Sequence, residues 1–265
     1  MVFGPALGDN VGTLDFCPRC DARNAPGSSF CRNCGAAMSQ QPTIVVGARA
    51  GMRPDVTFRI VRADGGPEAD VPMAEEELLC GRTVGHPLPE DPFVADPQVR
   101  FFFSAERLAV EDVGGGNGVF IRIRGERELS AGTELRMGRQ RLLVESIPQA
   151  APGPNGVLMW GSADGGARFR LLQLLEGGLR GNAWPLREGE NLLGRELGDV
   201  TFPGDGFVSG RHALLTVRGD RLTIRDLGSS NGSFVRLAAP SGLDDGDQIL
   251  VGRHLVRVEV AEAQP

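Results

Sequence analysis

Sliding residues 207–260 back by 114 positions lays the chain on itself with 16 identities in 54 gap-free positions. The identities include Phe93/Phe207, Asp112/Asp226, Asn117/Asn231, Phe120/Phe234, Gly132/Gly246 and Gly138/Gly252. A period of 114 exceeds the length of solenoid repeats, so it marks two copies of a whole domain and not a stacked array. Within each copy apolar and polar residues alternate over short runs, as in Leu222-Thr223-Ile224-Arg225 and Val256-Arg257-Val258-Glu259-Val260. That period of two suits strands with one face on a core. Arg218-Gly219-Asp220, Asn231-Gly232 and Asp245-Gly246-Asp247 mark turns between them. The chain is therefore expected to be mainly β, each copy a sandwich of two antiparallel sheets. Its 38 Gly and 18 Pro agree with so many turns.

Two Gly-, Ala- and Pro-rich stretches without sustained period separate the parts. The expected organisation is a small ribbon at 14–36, a linker at 37–54, a first sandwich at 55–147, a second linker at 148–166 and a second sandwich at 167–262. No run of about 18 apolar residues is present, which excludes a membrane-spanning helix. The first residues, MVFGPALGDNVGTLD, lack a basic segment followed by an apolar one, so the protein is expected to be soluble and cytoplasmic. A net charge of -6 and a pI near 5.2 argue against a general polyanion binder. Any phosphate site must be local.

Such a site is visible in the second copy. Gly194-Arg195 closes the apolar run Asn191-Leu192-Leu193; Ser209-Gly210-Arg211-His212 follows, and then Ser229-Ser230-Asn231-Gly232-Ser233-Phe234. An arginine supplies a planar, permanently charged fork for phosphate oxygens. Ser209 and Ser230 add hydroxyl donors, and the Asn231 amide both donates and accepts. This order of Gly-Arg, Ser-x-x-His and Ser-Asn-Gly with a nearby aromatic resembles the forkhead-associated (FHA) domain family, over roughly residues 168–260 and including Gly246-Asp247 and Val251-Gly252. The resemblance implies an 11-stranded sandwich that binds phosphothreonine peptides on loops at one end. It assigns phosphopeptide binding to Arg195, Ser209, Gly210, Arg211, Ser230 and Asn231, with Gly194, His212 and Gly232 supporting the loops. Gly210 stands where the family often has a further phosphate-contacting side chain and can offer only its N–H; Arg211 lies one place beyond.

In the first copy Gly81-Arg82 and Asn117-Gly118 keep the arginine and asparagine, but Ala95, Gln98 and Gly116 stand in place of Ser209, His212 and Ser230. With two hydroxyls and the loop-holding histidine gone, residues 55–147 are expected to be a degenerate FHA-like domain that packs but does not read phosphate. Phe101-Phe102-Phe103 is expected in an alternating, paired strand, and Cys80 as a buried small hydrophobe.

Near the N-terminus, Cys17, Cys20, Cys31 and Cys34 form two CxxC pairs. Four thiolates so spaced suit a structural Zn2+ with every ligand position filled, leaving none for catalysis. Residues 14–35 resemble the short zinc ribbons of bacterial multi-domain proteins. Arg19, Arg23 and Arg32, offset by Asp15, Asp21 and the anionic Zn(Cys)4 centre, leave the ribbon slightly negative, so nucleic acid is a poor ligand for it. His86, His212 and His254 fall in no catalytic pattern and no phosphate-cradling P-loop is present, so an enzyme is not expected.

The function these features favour is a phosphothreonine-dependent adaptor in Ser/Thr kinase signalling, its partner a kinase or a kinase substrate. A phosphate-independent scaffold and a zinc-ribbon regulator associated with nucleic acid are the alternatives.

Overall fold

The computed structural model describes residues 54–62, 69–83, 88, 91–104, 106–162 and 165–261, together with the backbone of 15–16 and 23–24. By internal packing residues 1–51 and 52–265 are separate units. Of the first, only the antiparallel pair β1 (Asp15–Phe16) and β2 (Arg23–Asn24) is described. Cys17, Cys20, Cys31 and Cys34 lie outside the described residues.

The second unit is built from strands. The first repeat supplies β3 (Val56–Arg62), β4 (Ala69–Pro72), β5 (Glu77–Cys80), β6 (Val99–Ser104), β7 (Arg107–Asp112), β8 (Val119–Arg122), β9 (Glu126–Leu129), β10 (Glu134–Met137) and β11 (Gln140–Ser146). The second supplies β12 (Phe169–Leu174), β13 (Arg180–Leu186), β14 (Gly189–Gly194), β15 (Val200–Thr201), β16 (Ala213–Arg218), β17 (Arg221–Asp226), β18 (Ser233–Arg236), β19 (Ser241–Gly242), β20 (Gln248–Val251) and β21 (His254–Val260). Alternation of buried and open residues is kept in β16, β20 and β21, as the sequence period requires. Phe101 on β6 is buried against Phe58 on β3, ring centroids 4.2 Å apart, while Phe102 turns outward beneath the Arg100 guanidinium. Cys80 is buried, and burial pushes its thiol pKa up to about 12.

Strand pairing cuts across the repeat boundaries at 55–147 and 167–262. One sheet of ten strands runs β13-β12-β11-β10-β18-β8-β20-β21-β3-β4, flanked by a five-stranded sheet, β15-β14-β16-β17-β9, and a four-stranded sheet, β19-β7-β6-β5. Thus β9, β10 and β11 of the first repeat pair with β17, β18 and β12 of the second. Reciprocally, β19, β20 and β21 of the second repeat pair with β7, β8 and β3 of the first. Each sandwich is completed by the last three strands of the other repeat. Among the described residues the sandwich carrying most of the second repeat has ten strands, against the eleven the family resemblance implies.

The exchange pivots on β8 and β18, which pair antiparallel through Phe120↔Arg236, Ile121↔Val235 and Arg122↔Phe234. Residues 121 and 235 are equivalent in the repeat, so a local pseudo-twofold axis passes between them. Hydrogen bonds from the Ile123 N–H to the Ser233 carbonyl and from the Leu237 N–H to the Val119 carbonyl, both 2.8 Å, extend the symmetry. Past the pivot, only residues 123–125 and 237–240 connect to the next strands, and the chain runs on into the opposite sandwich. Leu135, Met137, Leu142 and Val144 on the transferred β10 and β11 are buried, each worth roughly 1.5–3 kcal/mol. The buried apolar residues of both sandwiches form one continuous cluster.

Candidate functional site

The site of the second repeat is assembled around Ser209. Strand β14 ends at Gly194, where a Cβ would lie 2.1 Å from the Gly210 carbonyl oxygen and 2.4 Å from that of Leu197, so only glycine lets these segments meet. The Arg195 N–H then donates to the Ser209 carbonyl at 2.9 Å, and the His212 N–H to the Leu193 carbonyl at 2.8 Å. From the third segment, the Ser230 N–H donates to Ser209 Oγ at 3.2 Å and Asn231 Nδ2 donates to the Phe207 carbonyl at 2.8 Å. The structure thereby brings Arg195, Ser209, Gly210, Ser230 and Asn231 onto three adjoining loops. The Arg195 side chain is 37% exposed and lies 3.0 Å from Glu196 through Nε. Ser230, Asn231 and Arg211 are exposed, and Arg211 takes no side-chain partner among the described residues.

His212 locks two of these loops from below. It is fully buried; Nδ1 accepts the Ser209 N–H at 3.0 Å and Nε2 lies 3.1 Å from the Gly232 carbonyl. A carbonyl only accepts and an N–H only donates, so these partners demand the neutral imidazole with its proton on Nε2. Burial lowers the imidazole pKa below its ordinary value, against the opposing pull of the Gly232 carbonyl and of Asp226 and Asp205. Beneath Ser229 and Ser230, Asp226 accepts from the Ser229 N–H and hydroxyl, each at 2.8 Å, and from the Ser233 hydroxyl at 2.7 Å. Burial works against the Asp226 carboxylate, yet these donors and His212 outweigh it and hold its pKa below the usual range. Gly232 has φ +80°, and a Cβ there would meet Arg122 Nε at 2.5 Å. A residue of the first repeat thus packs under the loop of the second.

The first repeat has the same frame with other groups in it. The Arg82 N–H donates to the Ala95 carbonyl at 3.2 Å and Asn117 Nδ2 to the Phe93 carbonyl at 3.1 Å, matching Arg195 and Asn231. The expectation that this loop has lost its holding residue is corrected. Gln98, 1% exposed, accepts the Ala95 N–H through Oε1 at 3.0 Å and donates from Nε2 to Asp112 at 2.8 Å and to the Gly115 carbonyl at 3.2 Å. An amide has an acceptor and a donor at its two tips, as the neutral imidazole does. The hydroxyls are absent. Asp96 occupies the place of Gly210 and takes a hydrogen bond from the Thr83 hydroxyl, so a carboxylate stands beside the Gly81-Arg82 step. Gly115 and Gly116 have φ of +60° and +52°, whereas neither Ser229 nor Ser230 has positive φ. The two loops therefore differ in backbone as well as in side chains.

Several residues of the site escaped sequence reasoning: Asp226, Ser229, Asp205, Phe207, Arg139 and Glu196. Asp226, Phe207 and Arg139 recur in the repeat as identities, but recurrence does not say what a side chain touches. Among the described residues no cluster of metal-ligating side chains is found, and no helix is long and apolar enough to cross a membrane.

Residues 191–252 match the FHA domain family, a stretch that contains Gly194, Arg195, Ser209, Ser230, Asn231 and Gly232. The match supports one FHA domain there. It also runs through β20, which lies in the opposite sandwich. The FHA domain-containing protein FhaB of Mycobacterium tuberculosis is 38% identical over 66 residues, covering 25% of this chain and 43% of FhaB. The chain therefore spans less than half the length of that relative. A solved structure from a structural and functional analysis of phosphothreonine-dependent FHA domain interactions is 33% identical, with a TM-score of 0.23, over 36% of this chain and 97% of the other. EmbR of Mycobacterium tuberculosis, solved with a low-affinity phosphopeptide, is 26% identical, with a TM-score of 0.21, over 36% of this chain and 25% of EmbR.

Proposed function

We propose that this protein is a phosphothreonine-dependent adaptor in Ser/Thr kinase signalling and that its second repeat is the reader. The observation that carries this reading is the convergence at Ser209, whose carbonyl and Oγ take N–H groups from Arg195 and Ser230. With the Arg195 fork and the Ser209 and Ser230 hydroxyls on adjoining loops, the set suits a dianionic group with three acceptor oxygens. Gly210 offers its N–H, and Asn231, with one amide hydrogen engaged on Phe207, keeps its other hydrogen and its carbonyl for a peptide backbone. Arg211, exposed and adjacent to Gly210, would add positive charge beside it. The partner is a phosphothreonine-bearing protein, either a Ser/Thr kinase or a kinase substrate.

The first repeat is proposed to pack and not to read, since it lacks both hydroxyls and sets Asp96 where a phosphate would approach. On sequence grounds, Cys17, Cys20, Cys31 and Cys34 are proposed to hold a structural Zn2+; metal analysis of the purified protein tests this.

The function is tested by titrating the full chain with degenerate phosphothreonine peptides and with their unphosphorylated counterparts. Binding is expected to require the phosphate. Arg195→Ala removes a charge-assisted contact worth about 1.5–3 kcal/mol, so affinity should fall roughly 10- to 100-fold. Equal binding of both peptide pools would overturn the reading in favour of a phosphate-independent scaffold.

A further inference from the structure

We propose that the phosphothreonine site is completed by the first repeat: the turn between β10 and β11 holds the loop on which Asn231 depends, making Arg139 and Gln140 positioning residues of a site in the other repeat. The proposal rests on the reading of the site given above.

Asp205 joins turn to loop. Its carboxylate is 3% exposed and needs donors. Oδ2 accepts the Arg139 N–H at 2.7 Å and Gln140 Nε2 at 2.8 Å, while Oδ1 accepts the Phe207 N–H at 3.0 Å. The Arg139 guanidinium lies 4.8 Å from the centre of the Phe207 ring, an attractive cation–π contact. Phe207 in turn offers its carbonyl to Asn231 Nδ2. Gly138, at φ +54°, is seated so closely that a Cβ would be 2.8 Å from Val208 Cγ2. A chain of direct contacts thus runs from residues 138–140 of the first repeat to a peptide-facing amide of the second.

The same clamp recurs at the 114-residue offset. The Arg253 N–H donates to Asp91 at 2.7 Å, its guanidinium lies 5.7 Å from the Phe93 ring centre, and Phe93 accepts from Asn117 Nδ2. There the clamped loop carries no hydroxyl pair, so Arg253 is an internal control. If each hairpin instead closed on its own repeat, Arg253 would face Phe207 and the two roles would be reversed.

The experiment uses the 15N-labelled full chain with Arg139→Ala, Gln140→Ala and Arg253→Ala. Side-chain amide resonances of Asn231 and Asn117 are recorded without peptide, and affinity is then measured for a degenerate phosphothreonine pool. Arg139→Ala and Gln140→Ala should shift the Asn231 amide and weaken binding about three- to tenfold. Arg139→Lys, which keeps a cation over the ring, should restore most of the loss. Arg253→Ala should shift Asn117 and leave affinity within about twofold.

A shift of Asn231 on Arg253→Ala alone would overturn the proposal, as would unchanged affinity in both first-repeat variants. If the wild-type chain binds neither phosphorylated nor unphosphorylated pool, the reading of the site falls. The amide resonances still decide separately whether residues 139 and 140 hold the loop.

Discussion

In the second repeat a buried imidazole ties the Ser209 N–H to the Gly232 carbonyl; in the first, a buried amide, Gln98, ties the Ala95 N–H to the Gly115 carbonyl and Asp112. The backbone bonds at Arg195 and Arg82, and the side-chain bonds at Asn231 and Asn117, are likewise equivalent. The loops differ in what they present outward: two serines and a glycine in one, two small apolar positions and Asp96 in the other. Holding a loop and presenting ligand groups are thus separable tasks. The first can be met by any buried side chain with one donor and one acceptor at the right spacing, whereas the second depends on hydroxyls and charge that no scaffold residue replaces.

The strongest way to break this comparison is at the glycines that precede the two arginines. Gly194→Ala would drive a Cβ into two backbone carbonyls, at 2.1 and 2.4 Å, and neither can rotate away. It should destabilise the fold by roughly 3 kcal/mol and abolish phosphopeptide binding. At Gly81 the nearest atom, 2.6 Å away, belongs to the Asp96 side chain, which can swing aside. The next contacts, with the Pro97 Cα at 3.0 Å and the Ala95 carbonyl at 3.1 Å, are looser than those at Gly194, so Gly81→Ala should cost less than Gly194→Ala, about 1–2 kcal/mol, and leave binding intact. Thermal melts paired with peptide titration check both, and lost binding in the Gly81 variant would mean that binding depends on the Gly81 loop of the first repeat.

The equivalence of His212 and Gln98 is sharpened by pH. The folded state lowers the His212 pKa below its ordinary value of 6.5, so the unfolded chain binds the proton more readily. Its contribution is full above pH 6.5 and is lost as pH falls through the lower folded value, with a slope of at most about 1.4 kcal/mol per pH unit. His212→Gln, which installs the first repeat's solution, should fold and show a flatter decline of stability below pH 6.5 than wild type. Identical pH profiles in denaturant titrations would contradict the lowered pKa of the buried His212. Stability is the better readout, because phosphothreonine itself titrates near pH 6.

The smallest effect concerns Glu196, which sits 3.0 Å from Arg195 and would compete with a bound phosphate for it. Glu196→Gln removes an exposed ion pair worth about 0–1 kcal/mol, so phosphopeptide affinity should rise about two- to fivefold. Weaker binding would show instead that Glu196 orients Arg195.

Much of the candidate site was legible because the groups suited to phosphate belong to a few residue types in a fixed order, and the two-residue period of the strands survives burial of one face. Gln98 was misjudged because its equivalence to histidine lies in the positions of two polar atoms, which residue type does not reveal. The turn at Gly115 and Gly116 was hidden for a similar reason: glycine permits positive φ without requiring it. Glu196, Phe207 and Arg139 gave only identities or nothing, since their roles arise from contacts across loops.

By itself the sequence determined a mainly β chain with an internal repeat, a match to the FHA family over residues 191–252, and which side chains could face a phosphate. Those properties depend on local periodicity and side-chain chemistry, which short segments carry with them. The partner of each terminal hairpin was decided only by the tertiary structure. The segments of β9–β11 and β19–β21 share Leu129/Leu243, Gly132/Gly246, Gly138/Gly252, Arg139/Arg253, Val144/Val258 and Glu145/Glu259, so these identities do not say which sandwich each segment joins. The exchange goes with the short connections after β8 and β18 and with the strand pairs those two make with each other at the pivot.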